Sequence, residues 1–157
     1  MRNNRLWIPV LICLLLSGAA WGQSNQIIDA LLTQERASVG ATAYLVLSAA
    51  ELVDQGATVE QAFAALQGKS WGFEKSGIDD EVKLGSFAHL VMKAFKMRGG
   101  LLYSLFPGKR YAAREFAYRD FVQGNTSPAR TLSGRDVTHI LGRVLESLGQ
   151  RSEEVAP

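Results

Sequence analysis

The sequence predicts an all-α fold: a compact bundle of short helices from degenerate internal repeats, preceded by a signal peptide. Three observations predict it. Apolar residues recur at helical spacing through most of the chain, and no stretch alternates apolar and polar residues as a half-buried strand does. Ser, Thr and Gly stand where helices would start and stop. A pattern recurs: Ala43 to Leu52 aligns without gaps to Ala88 to Met97, and Thr138 to Leu145 follows, at offsets of 45 and 50 residues. Between these copies lie two helices of another type, containing Ala62-Phe63-Ala64-Ala65 and Glu115-Phe116-Ala117-Tyr118. Each unit alone leaves an apolar face exposed, so the copies are expected to pack together. The alternative is chance similarity between amphipathic helices.

Taken in order, residues 1–22 carry Arg2 and Arg5, an apolar run from Leu6 to Leu16, and small residues ending in Ala20-Trp21-Gly22. A charged head, a greasy centre and a small-residue cleavage site define a signal peptide. The apolar run is shorter than the roughly 20 residues that a membrane-spanning helix needs. Cys13 is a poor lipid-attachment site, since Ile12 precedes it and apolar residues follow. Cleavage after Gly22 would leave no cysteine, and so no disulfide or thiolate chemistry. Residues 23–37 form an N-terminal helix and linker, with Ile27, Ile28, Leu31 and Leu32 on one face of a helix from Gln26 to Arg36.

Residues 38–148 form the helical repeat domain. Ser38 caps a helix from Val39 to Gln55, and Thr58 caps one from Val59 to Gln67. Lys69 to Val82 is a turn-rich connection anchored by Trp71 and Phe73. A helix from Leu84 to Met97 follows, stopped by Gly99-Gly100. Leu101 to Phe106 is short and apolar, and is read as covering the core; docking to a partner or a membrane surface is the alternative. Pro107-Gly108 turns the chain into a helix from Tyr111 to Val122. Ser133 caps the last helix, Gly134 to Leu148, and residues 149–157 are a polar tail expected to be disordered.

This alternation of helices resembles S-layer homology modules. The matching stretches are Val82 to Phe95, Tyr111 to Phe116, Val122 to Gly124 and Leu132 to Val137. Ser133 stands at the Thr place of the family's Thr-Arg-Ala-Glu-like signature and Asp136 at its acid place. The resemblance implies short helices packed around a shared core, and attachment of an exported protein to a cell-wall polymer. The Arg that the family uses for that polymer has no counterpart: Gly134, Val39 and Leu84 occupy its place. The chain also resembles small secreted helical proteins of spirochaetes.

Charge is unevenly spread. Asp29 to Glu81 holds nine acids and three bases, whereas Lys93 to Arg143 holds ten bases and three acids. Lys109, Arg110, Arg114 and Arg119 cluster near one helix, interleaved with Tyr111 and Tyr118, and Ser133, Arg135 and Asp136 follow. Arg forks suit phosphate and carboxylate groups, and aromatic faces suit sugar rings. These nine residues are the candidate ligand-binding set; the alternative is a solvated face with local ion pairs. Gly68-Lys69-Ser70 resembles the end of a phosphate-binding loop, but Phe63 stands where that motif needs Gly. His89 and His139 hold equivalent repeat positions, filled by Tyr44 in the first copy, so they read as core-face residues and not as metal ligands. No Gly-Xaa-Ser-Xaa-Gly elbow occurs, and neither a catalytic residue nor a cofactor is implied.

The expected protein is therefore an exported, non-enzymatic binding module of the periplasm or cell envelope. Its expected partner is an envelope glycan or an anionic lipid surface. The alternatives are a periplasmic protein–protein interaction scaffold and, less favoured, a wall-glycan enzyme. Nucleic acid is not an expected partner, and no transmembrane span is expected after cleavage.

Overall fold

Helix starts in this chain are fixed in two ways, by side-chain caps and by backbone from elsewhere. The computed structural model describes the backbone over residues 19–154 and side chains over 25–150. Residues 1–18 and 155–157 lie outside it, so most of the expected signal peptide does too. Among the described residues there are seven helices and no strand. They are α1 (Ala19–Leu32), α2 (Val39–Ala49), α3 (Val59–Gln67), α4 (Leu84–Ala94), α5 (Leu101–Leu105), α6 (Lys109–Tyr118) and α7 (Gly134–Glu154). None is long and apolar enough to cross a membrane.

Ser38 caps α2 through its side chain, and Thr58 with Gln61 forms a capping box on α3. Lys83, at the start of α4, offers no side-chain cap. The free N–H groups there still have partners: Leu84 donates to the Arg130 carbonyl at 2.8 Å and Gly85 to Pro128 at 2.9 Å. The start of α2 repeats this, Val39 donating to Asp80 and Gly40 to Ile78, both at 2.8 Å. At α7, Gly134 donates to Gln34 at 2.9 Å. Each of these helices thus begins against the segment leading into the next, and the third begins against the segment leading into the first.

The innermost layer of this arrangement is a closed ring. Ala37, Val82 and Leu132 are all buried. The Ala37 N–H donates to Leu132 at 2.8 Å, Leu132 to Val82 at 2.9 Å, and Val82 to Ala37 at 2.8 Å. Three backbone donors and three acceptors are satisfied where no water reaches them. The spacing of the three residues, 45 and 50, is that of the recurring sequence pattern. Around the ring, Leu31, Leu47, Leu66, Leu84, Phe87 and Phe116 are each fully buried.

Several helices end elsewhere than the sequence predicts. α2 stops at Ala49 and not Gln55, and α4 at Ala94 and not Met97. In both, a non-glycine residue enters the left-handed region, Glu51 at φ 55° and Lys96 at φ 51°, again 45 residues apart. The next residue then folds back, Leu52 onto the Leu47 carbonyl and Met97 onto Met92. α6 starts at Lys109 and ends at Tyr118, with Asp120 at φ 55°. α7 runs past Leu148 to Glu154, through part of the tail expected to be disordered. Gly149 alone is a weak break, costing about 1 kcal/mol.

Leu101 to Phe106 does not cover the core. Leu101, Leu102, Leu105 and Phe106 are exposed, and only Tyr103 turns inward. Its hydroxyl lies 3.3 Å from Nδ1 of buried His89. Burial, with the positive charges of Lys93 and Lys109, holds the His89 imidazole below its usual value of about 6.5. The unfolded chain therefore binds this proton more readily than the folded one. Stability is full above that ordinary value and falls as pH drops below it. Urea unfolding from pH 7.5 to 5 should show that loss, and His89→Gln should flatten it; an unchanged slope would exclude His89 as its source. His139, at the equivalent position on α7, is exposed.

Candidate functional site on the outer face of α6

Helix α6 follows the Pro107-Gly108 turn and is amphipathic. Ala112, Ala113 and Phe116 face inward and are fully buried. Arg110, Arg114 and Tyr118, spaced by four residues, share the opposite face and are exposed. Tyr118 is 87% exposed, which is unusual for so large a ring. Neither Arg110 nor Arg114 forms an ion pair among the described residues. Tyr111 is half-buried and stacks on Phe106, with ring centroids 6.3 Å apart. Leu102, Tyr103, Tyr111, Arg114, Glu115 and Tyr118 enclose a hollow of about 160 Å³ where α5 meets α6.

Other members of the expected set do structural work. Lys109 Nζ donates to the Gly72 carbonyl at 3.0 Å and lies 5.2 Å from the centroid of the Phe73 ring. Arg119 pairs with Glu115 at 3.3 Å and donates to the Arg98 carbonyl. Glu115 in turn accepts the Gly100 N–H at 2.8 Å, which ties the turn before α5 to α6. Ser133 and Asp136 cap α7 reciprocally: Ser133 Oγ accepts the Asp136 N–H at 3.1 Å, and Asp136 Oδ2 accepts the Ser133 N–H at 3.0 Å. Arg130 closes on Asp136 at 2.7 Å. Burial pushes the Asp136 carboxyl upward, but the Ser133 hydrogen bonds and the Arg130 charge outweigh it and hold the group below its usual range. Arg135 is exposed beside this cap.

The nine expected residues thus do not form one site. Arg110, Tyr111, Arg114 and Tyr118 share a surface, Lys109 and Arg119 brace it, and Ser133 with Asp136 starts another helix. The expected set omits Leu101, Leu102, Leu105 and Phe106, which continue that surface across α5. Their signal was an apolar run bounded by two glycines and a Pro-Gly turn.

A larger cavity of about 660 Å³ lies between α1 and the starts of α2 and α3, where Ser38, Thr58, Glu60 and Asp79 contribute polar walls and no base does. A hydrogen bond with its own backbone, then one with Thr58, holds Glu60 below the usual carboxylate range. Gly68 caps the end of α3, whereas a phosphate-binding loop opens a helix. No group of three or more metal-ligating side chains occurs among the described residues. Comparison with protein-family models, with curated proteins and with solved structures finds no match. The fold and its surface define this protein as all-α, with a basic, aromatic and apolar face on α5 and α6.

Proposed function

We propose that this chain is an exported, non-enzymatic binding module built from three degenerate copies of one helical unit. It attaches to an anionic component of the cell envelope through the outer face of α6. One observation carries the binding reading: residues 93–114 hold six bases and no acid, and Arg98, Arg110 and Arg114 among them are exposed and without ion-pair partners in the described residues. Solvated faces ordinarily mix both signs. Unpaired bases beside an exposed Tyr118, with the one acid of the hollow, Glu115, already paired to Arg119, suit phosphate or carboxylate groups, held by charge-assisted hydrogen bonds from the guanidinium forks. Support for the repeat comes from the ring of Ala37, Val82 and Leu132 and from the matching helix ends at Glu51 and Lys96.

The test is co-sedimentation of the protein with purified peptidoglycan sacculi and with anionic vesicles, at low and high salt. The comparison is Arg110→Ala with Arg114→Ala, leaving Lys109 and Arg119 in place because they brace the fold. We expect salt-sensitive retention that weakens about tenfold or more in the double variant, since each base near an anionic surface contributes about fivefold. Retention indifferent to both salt and these substitutions would sink the proposal.

A further inference from the structure

We infer that α5 is a membrane-inserting ridge, and that the anionic partner of the α6 face is the surface of a lipid bilayer. This rests on the reading of that face as an anionic-surface site, and it selects lipid over wall polymer. The observation is the pairing of two features. Leu101, Leu105 and Phe106 are 77%, 61% and 62% exposed, and Leu102 is 47% exposed. Large apolar side chains so concentrated on one short element are not ordinary surface. Around them the chain from Lys93 to Arg114 is wholly basic in its charged residues.

The geometry of α5 suits an interface. Leu101 and Leu105 are one helical turn apart, as are Leu102 and Phe106, so two apolar rows stand side by side. Tyr103 alone points inward, so the helix is anchored by one ring and leaves its remaining faces to the surroundings. Phe106 stacks on Tyr111, and Leu102 shares the hollow with Arg114 and Tyr118. The apolar rows and the cationic face are therefore continuous. With those side chains in the acyl layer, exposed Arg110 and Arg114 on the adjoining face are the groups that would meet lipid phosphates.

Charge complementarity decides among possible occupants. A second copy packed face to face about a two-fold axis would set one basic rim against another, and the acidic segment 29–81 has no apolar ridge of its own in this face to meet α5. A sugar–phosphate polymer satisfies the bases but offers no apolar layer for four large side chains. An anionic bilayer offers both, and the two attractions add.

The experiment reads the environment of residue 105 in the full chain. A nitrobenzoxadiazole probe is attached at Leu105→Cys in a Cys13→Ser background, since Cys13 is the sole native cysteine. A second protein carries the probe at Ala64→Cys, an exposed position on α3. Each is mixed with phosphatidylglycerol–phosphatidylcholine vesicles, and with phosphatidylcholine alone, containing nitroxide-labelled lipid. A site-specific readout is needed because the apolar run of residues 6–16 is itself able to bring the chain to vesicles. We expect quenching at 105, not at 64, with anionic vesicles only, and about tenfold weaker apparent affinity with Arg110→Ala and Arg114→Ala. Equal quenching at both positions, or in both lipids, overturns the proposal. If residue 105 stays in water while Arg110- and Arg114-dependent retention on sacculi or vesicles persists, insertion fails and anionic attachment stands. Quenching that requires protein-containing envelope membranes overturns it in favour of a protein partner. Loss of Arg-dependent retention on every surface removes both readings.

Discussion

Gly134→Ala is expected to lower stability by about 3 kcal/mol or more, whereas Gly142→Ala on the same helix should raise it by about 0.5–1 kcal/mol. A Cβ at position 134 would lie 1.7 Å from the Leu31 carbonyl oxygen and 2.5 Å from its carbon. Both are backbone atoms at the end of α1, so no rotamer change relieves the clash. Nor is α1 free to retreat, because the Gly134 N–H donates to Gln34 and the Ala37 N–H to Leu132. At Gly142 an added Cβ meets nothing within 4 Å, and alanine only reduces the freedom of the unfolded chain. Urea unfolding followed by helical circular dichroism measures both. If Gly134→Ala were as stable as the parent, α1 would not meet α7 as described.

Phe116→Ala carries the second large effect, a loss of about 3–5 kcal/mol. Phe116 is fully buried and meets the ring of Phe87 edge-on at 6.3 Å and that of Phe121 at 5.4 Å. Truncation leaves a cavity bounded by two rings that cannot both move in. Tyr118→Ala, two residues on and exposed to solvent, should stay within about 0.5 kcal/mol of the parent. The same unfolding assay separates them, and comparable losses would mean that the inward and outward faces of α6 are misassigned. The pair also matters for binding, because Phe116 fixes the rotation of α6 that turns Arg110, Arg114 and Tyr118 outward.

The beginnings of α2, α3 and α7 were legible because their chemistry is local, whereas α6 begins at uncapped Lys109, two residues before the expected Tyr111. Ser38, Thr58 and Ser133 each have a side-chain oxygen within reach of a free N–H three residues on, and each caps as expected. The end of α3 at Gln67, before Gly68, was legible too, but those of α2, α4 and α6 were not, because the turns at Glu51, Lys96 and Asp120 use left-handed residues without glycine. Nothing in those residue types announces the conformation; burial of the following Phe121, or folding back of Leu52 and Met97, holds it in place. The candidate site divides along the same line. The outward turn of Arg110, Arg114 and Tyr118 follows from four-residue spacing within one helix. The bracing roles of Lys109 and Arg119 depend on Gly72, Phe73 and Arg98, which are distant in sequence. The run from Leu101 to Phe106 was misread as core cover because hydrophobicity alone does not say whether interior volume remains. Phe87, Phe116 and Phe121 have already filled it.

The ring formed by Ala37, Val82 and Leu132 bears on how this protein comes apart. In an open array of stacked units, each touches only its neighbours, so a terminal unit can fray alone and another can be added. Here the segment at Leu132 is bonded to by the segment at Ala37, so none of the three segments of the ring is terminal. Peeling any one segment away strands a donor and an acceptor on the other two, in a place water does not reach. Closure therefore sets the number of segments at three and makes their melting a single event. A chain cut before Leu132 would lose the mutual support of the two segments that remain, and not merely the segment removed.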